Sequence, residues 1–298
     1  MDQNYTESKH FRLFCTIVLT VLAVIALLPI LLIVIASVTD EKALLANGYT
    51  FFPAALSTDS YYYMVRQGGT ILRSYGITIL TTVVGTLGGV LFTTMLAYPM
   101  ARSSFKYRNV LAFFVFFTML FNGGVVASYI MWSRIISIRN TLWALIVPNY
   151  LVTAFNVFLV RNYYATGIPE ALIESAQIDG GNEFIIFLRI MLPLSIPVIA
   201  TVALFSGLAY WNDWVNGLYY ITDPTLFGIQ NLLIRIMNNI QFLKSGSNAA
   251  LLGTQAVELP GTSVRMAMAV IGMLPVVLVF PFVQKYFIKG VVLGAVKG

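Results

Sequence analysis

Charge is what this sequence has least of. Asp, Glu, Lys and Arg together make up 10% of its 298 residues, where a soluble domain carries roughly 25%. Hydrophobic residues make up 58%, so the solvent for most of the chain is lipid, and a soluble globular fold is excluded. There is one cysteine, Cys15, and one histidine, His10, the latter in a polar N-terminal segment expected to be mobile. A single cysteine excludes an internal disulfide. One His with one Cys excludes a zinc cluster and a Ser-His or Cys-His nucleophile pair. No G-x-x-x-x-G-K-[ST] occurs, so the chain does not bind ATP through a phosphate loop of that kind. Catalytic, metal and cofactor residues are therefore assigned to none of its positions. The net charge of +6 is spread singly between apolar runs, where Lys and Arg anchor helix ends at headgroup depth, so no nucleic-acid partner is expected.

What the sequence has in quantity is long apolar runs. Six of them carry no charge and approach or exceed the roughly 20 residues that cross a bilayer: Phe14–Val38, Ser74–Ala101, Asn109–Ser133, Asn140–Val160, Ile190–Asn212 and Met266–Gln284. The fifth is expected to continue past Asp213 to about Tyr220. The expected fold is an all-α integral membrane protein of six transmembrane helices, because a helix satisfies its own backbone hydrogen bonds in lipid. The short alternating segments of a membrane β-barrel are not seen. The first run, about 25 residues long, exceeds the apolar core of a signal peptide and reads as a retained helix. Gly85, Gly88 and Gly89 in the second run permit close helix packing. Pro29, Pro148, Pro193, Pro197 and Pro275 read as ordinary kinks within spans.

The connections differ in character. Thr39–Arg73 is long and polar, with Tyr61, Tyr62 and Tyr63 suited to an interface or a docking surface; Arg102–Arg108 is short and basic; Asp223–Arg265 is long and amide-rich. With the N-terminus inside, inner segments carry ten Lys or Arg and outer ones eight, a small bias in the expected direction. The domain plan is an inner N-terminal segment over 1–13, a six-helix membrane domain over 14–288 with an inner loop at 162–193, and an inner tail over 289–298.

Between the fourth and fifth runs, Pro169 suits the first turn of a helix and Glu170 its positive end. Gly180 and Gly181 can supply a left-handed stop. The helix between them is about eleven residues, roughly 16 Å, too short to span. Glu170 and Glu174 share one face. Such a helix either connects two spans with a solvated face or presents its carboxylates to a basic partner.

Glu174-Ser175-Ala176, Gly180 after three residues, and Ile190-Met191-Leu192-Pro193 after nine more resemble the E-A-A-x-x-x-G-x(9)-I-x-L-P loop of ABC importer permeases. The one departure is Ser175 in place of alanine. The resemblance runs from the first span to the tail and implies the type I (MetI-like) importer permease architecture. It implies that the loop lies in the cytoplasm as a coupling helix, with Glu170, Glu174, Ser175, Ala176, Asp179, Gly180 and Pro193 forming the surface that couples to the ATPase. The ending Gly294-Ala295-Val296-Lys297-Gly298 resembles the G-x-V-K-G tail of the six-helix maltose permease subunit, which implies ATPase contact at Lys297 and Gly298. Trp211-Asn212-Asp213-Trp214 resembles the W-N-[DE]-[FW] segment of carbohydrate permeases. The wider pattern is similar to the branch of lipoprotein-associated and complex-polysaccharide permeases.

Trp211, Asn212, Asp213, Trp214 and Asn216 are candidates for a substrate path, since rings stack on sugar faces while amides and a carboxylate bond hydroxyls. Equally, they fit an aromatic belt at the outer interface, with Tyr219 and Tyr220 nearby. Asn122, Asn149 and Asn156 suit helix-packing hydrogen bonds. The resemblance implies a bacterial cytoplasmic-membrane permease with both termini cytoplasmic. Its partners would be a second, non-identical permease, two ATP-binding subunits that hold ATP and Mg, an extracytoplasmic solute-binding protein, a sugar and membrane lipid. Alternatives are a permease of the same class for a non-sugar solute and an ion-coupled secondary transporter. The absence of an internal repeat and of acids within the first four runs disfavours the latter.

Overall fold

Segments without charge must satisfy each backbone amide internally when water is absent, and this chain does so with helices. The computed structural model describes residues 9–66, 68–244 and 261–295. Among them the β-type pairing is an isolated bridge between Thr39 and Leu56. Among the described residues three helices are long and apolar enough to cross a membrane, or up to five where each of two bent helix pairs counts as one span.

One compact unit comprises the described parts of Met1–Gly68 and Arg235–Leu274. Helix α1 (Lys9–Ser37) is exposed along most of its length, and its Thr16 and Thr20 hydroxyls donate to the carbonyls of Arg12 and Thr16 at 2.8 Å. These two hydroxyls therefore need no external partner in lipid. The connection after it folds into α2 (Glu41–Asn47) and α3 (Asp59–Arg66). Asp40 caps α2, accepting the N–H groups of Lys42 and Ala43 at 3.0 and 3.1 Å, as an N-cap carboxylate should. The Ser37 and Tyr61 hydroxyls, 2.8 Å apart, tie α3 to the end of α1. The Glu41 carboxylate receives the N–H groups of Gly261, Thr262 and Ser263 and the Ser263 hydroxyl at 2.7–3.1 Å. It thereby satisfies the open amides at the start of the last helix, α14 (Thr262–Ala295), where the helix dipole favours a negative charge.

The other unit comprises Gly69–Ile234 and the described residues from Pro275 on. Most of α4 (Gly68–Ala101) runs through it. Next come α5 (Arg108–Leu120), α6 (Gly124–Ile130, continued by a wider π-type turn to Ile135), α7 (Trp143–Ile146) and α8 (Ala154–Gly167). They are followed by α9 (Glu170–Ile178), α10 (Glu183–Ile186, continued to Leu194), α11 (Ile196–Trp211), α12 (Val215–Tyr220) and the start of α13 (Ile229–Lys244). Its core joins Ala97, Tyr98 and Met100 of α4, Val157, Val160 and Tyr164 of α8, Ile173 of α9, Ile186 and Phe187, and Val198 and Val202 of α11. α4 carries small residues on its packing face: a β-carbon on Gly89 would sit 3.1 Å from the Leu151 carbonyl oxygen.

Several boundaries differ from the apolar runs. The third run bends by 116° between Leu120 and Gly124, where Asn122 Oδ1 accepts the Gly124 N–H at 2.8 Å. The fourth is not continuous: α7 ends before a turn in which Asn149 adopts φ 70°, and α8 then extends to Gly167, well past Val160. The fifth begins earlier, at Glu183, bends by 80° at Ser195 and stops at Trp211 rather than continuing to Tyr220. Hydropathy measures apolar content and is blind to such breaks, since buried polar turns inside a protein interior are tolerated at membrane depth. The two long connections contain α2, α3 and α13, and helix α1 already includes His10. Arg102 is buried (9% exposed), not an exposed headgroup anchor.

Candidate functional site

Helix α9 is short because its ends are chemically defined. Pro169 stands just before it with an extended backbone, and Glu170 occupies its first turn. At the other end Gly180 takes φ 82°, the left-handed conformation that costs side-chain-bearing residues about 1–2 kcal/mol. The Gly180 N–H donates to the Gln177 carbonyl at 3.0 Å and the Gly181 N–H to the Ala176 carbonyl at 2.8 Å, the paired bonds of a Schellman stop. Gly181 does not share the left-handed geometry. Its requirement is space, because a β-carbon there would lie 2.7 Å from the Ala176 carbonyl oxygen.

One side of α9 is anchored and the other is open. Ile173 is 4% exposed in the core, whereas Ile178 is 86% exposed. Glu174, Ser175 and Asp179 are exposed, and Ala176 is half-buried. Glu174 and Glu170 are both exposed, and Glu170 also accepts a hydrogen bond from the Ser103 hydroxyl at 2.6 Å. Beyond the stop, Asn182 caps α10 by accepting the Ile185 N–H at 2.9 Å. Glu183 then gathers three partners. Gln177 donates to it at 2.9 Å, the Tyr98 hydroxyl donates to it, and Arg102 lies 3.8 Å away. Arg161 Nε donates to the Met100 carbonyl at 3.1 Å, so α8 also holds the end of α4. Pro193 lies exposed two residues before the bend at Ser195. Lys297 and Gly298 lie outside the described residues.

The Trp211–Trp214 segment occupies the break between α11 and α12. Asn212 and Trp214 are exposed, Asp213 is half-buried, and Trp211 and Asn216 are buried. Asn212 Nδ2 donates to the Leu208 carbonyl at 2.9 Å, closing α11. Asp213 Oδ1 accepts the Asn216 N–H at 3.0 Å and so starts α12. Asn216, fully buried, accepts from Asn149 Nδ2 at 2.9 Å and donates to the Pro148 carbonyl at 3.1 Å. Its amide is thus committed to the turn that interrupts the fourth run. Asn156 donates to Ser206 at 3.4 Å, a helix-packing bond as expected. Trp211 meets Tyr75 with ring centroids 6.2 Å apart and borders an apolar cavity of about 570 Å³ between α4, α11 and the 275–280 stretch of α14. Ile79, Val83, Leu87, Leu204, Leu208 and Val279 line that cavity, so it offers a hydroxylated ligand almost no hydrogen bonds.

Residues 89–292 match the family of the binding-protein-dependent transport system inner membrane component. The chain is 38% identical to protein LplC of Bacillus subtilis, over 92% of its own length and 90% of the relative's. It is 34% identical to the polygalacturonan/rhamnogalacturonan transport system permease protein YtcP of the same species, over 94% and 96%. To the arabinooligosaccharides transport system permease protein AraQ of Halalkalibacterium halodurans it is 31% identical, over 95% of each. Among solved structures it resembles a bacterial ABC transporter that imports the acidic polysaccharide alginate, with TM-score 0.76, 26% identity and coverage of 94% and 98%. A helical membrane chain with a surface helix between bent spans, matched along nearly its whole length, belongs to the family of binding-protein-dependent ABC transport permeases.

Proposed function

We propose that this chain carries a carbohydrate of oligosaccharide size across the bacterial cytoplasmic membrane as one half of a permease pair. Its open α9 face would dock on a separate ATP-hydrolysing subunit. The observation that carries the reading is the division of α9 into an anchored side at Ile173 and an exposed side bearing Glu174, Ser175 and Ile178. An exposed carboxylate beside an exposed isoleucine is what a basic, partly apolar groove recognises. In this arrangement the loop at 162–193, the segment 1–13 and the tail 289–298 with Lys297 and Gly298 lie in the cytoplasm. Glu170, Asp179, Gly180 and Pro193 shape the loop, and Ala176 receives the Gly181 amide. ATP and Mg belong to the partner ATPase.

The sugar assignment rests on the names of the relatives and on the Trp211–Trp214 segment. Exposed Trp214 and Asn212, with Asp213 between them, face the solute as a stacking ring and hydrogen-bonding groups, while Trp211 and Asn216 support the break from behind. The second permease is a different chain, and an extracytoplasmic binding protein delivers the sugar. ATP binding stabilises the closed ATPase pair, and the permeases follow because the ligand favours the state it binds better. Reconstitution with the candidate ATPase tests the coupling role. Glu174→Ala and Gly180→Ala should uncouple ATP hydrolysis from uptake, and unchanged uptake in both variants refutes it.

A further inference from the structure

The open face of α9 explains where an ATPase would push but not what receives the push. Both ends of α9 are strapped to one short stretch of α4. At its start, Glu170 accepts from Ser103, just past the end of α4. At its finish, Gln177 donates to Glu183, whose carboxylate also takes the Tyr98 hydroxyl and faces Arg102. Tyr98 is 9% exposed and its ring packs on Phe187 at 5.4 Å, so the Tyr98 end of this stretch is embedded in the core, while Ser103 at its other end is exposed. Further along α4, Gly85 lies against the ring of Tyr210, next to Trp211, and Tyr75 meets Trp211 itself. One continuous helix therefore touches the surface loop at one end and the Trp211–Trp214 break at the other.

We propose that α4 is the rod through which displacement of α9 reaches the Trp211–Trp214 segment, with Glu183 and Ser103 as the positioning residues that clamp α9 to it. The inference rests on the transport reading above and adds the route of coupling to it. Energetic coupling between distant sites travels through packed side chains and rigid elements. A carboxylate bridging α9, α10 and α4 would pass motion in either direction, as coupling requires.

The test uses the complete transporter in proteoliposomes: this chain, its permease partner, the ATPase and the binding protein, otherwise free of cysteine (Cys15→Ser here). A reporter cysteine replaces the exposed Leu218 of α12, and N-ethylmaleimide labelling is timed with and without ATP, Mg and orthovanadate. In the parent transporter the labelling rate should change by about fivefold or more, the lower range of ordinary intersite coupling. Glu183→Ala, alone or with Ser103→Ala, should reduce that change to less than about twofold while ATP hydrolysis stays within about twofold of the parent. Glu183→Gln, whose carbonyl can still accept from Gln177 while its NH2 group donates to the Tyr98 hydroxyl oxygen, should restore most of it. A merely structural role would lower hydrolysis and the labelling response together. If Glu183→Ala fails to assemble, Tyr98→Phe combined with Ser103→Ala removes both hydrogen bonds from the end of α4 to the loop and carries the same expectation. A full labelling response in the clamp variants, or a parent that hydrolyses ATP with no change at Leu218, overturns the rod. A parent complex that neither assembles with an ATPase nor hydrolyses ATP refutes the transport reading instead.

Discussion

Gly85 lies so close to Tyr210 that a β-carbon built on it would fall 2.6 and 2.7 Å from the two Cε atoms of the ring. Tyr210 cannot yield easily: it is 2% exposed and its hydroxyl donates to the Ile146 carbonyl at 2.8 Å. The pair holds α4 and α11 at a separation that only glycine allows.

Gly85→Ala should therefore destabilise the protein by about 1–3 kcal/mol, the usual cost of overpacking a filled site. The check is the thermal unfolding midpoint of the purified chain in detergent. Gly85→Ala combined with Tyr210→Phe should recover little, because the ring and not the hydroxyl occupies the space. A midpoint unchanged by Gly85→Ala would show that the helices can separate freely.

Burial pushes the Glu41 carboxyl up, but the hydrogen bonds from Thr262, Ser263 and Gly261 outweigh it and hold it at about 2, below the ordinary 4.5. The folded-state value is depressed, so the cap's contribution is complete above about pH 4.5 and is lost as pH falls toward 2. Glu41→Gln should lower stability at pH 7 by about 1–2 kcal/mol, typical of losing a charged hydrogen-bonded cap. The gap between the two proteins should close on acidification through that window. Paired unfolding curves at pH 7 and pH 3 measure it; a gap independent of pH would contradict the assignment.

Gly180 and Gly181 should fail differently. Gly180→Ala forces a left-handed alanine, at about 1–2 kcal/mol, with open space around the new methyl. Gly181→Ala drives a methyl into the Ala176 carbonyl, which must break the stop itself. The expected result is weakened capture of the purified ATPase by Gly180→Ala and loss of capture by Gly181→Ala, read by co-purification.

Asn216 and Asn212 separate structure from transport. Asn216→Ala leaves Asn149 and the Pro148 carbonyl without their buried partner, costing about 1–3 kcal/mol. Asn212→Ala, at an exposed position, should leave the unfolding free energy within about 0.5 kcal/mol of the parent and alter uptake of oligosaccharide. Equal loss of stability in both would place Asn212 in the same scaffold.

The short helix α9 was legible because its signals are local: Pro169 before it, Gly180 after it, and glutamates four apart. So were the close-packing glycines of α4, since small residues on a span have few other uses in lipid. The clamp at Glu183 was not. Nothing in the spacing of residues 98, 102, 177 and 183 announces that they meet, because side chains distant in sequence are joined only when helices pack. The break after Trp211 was hidden for a related reason. Its turn is held by Asn216 reaching the Asn149 turn of another run, and no property of residues 211–220 alone reports that bond.

Composition and hydropathy by themselves settled that this chain lives in lipid as helices, for the bilayer leaves an apolar backbone no other local solution. Local stop and start chemistry likewise settled where the surface helix begins and ends. The tertiary fold alone decided which polar side chains face outward and which are consumed internally. It turned Glu170 toward Ser103, left Glu174 open, and buried Asn216. A hydrogen-bonding group takes whichever partner packing brings within 3 Å, and that choice is made between segments, not within them.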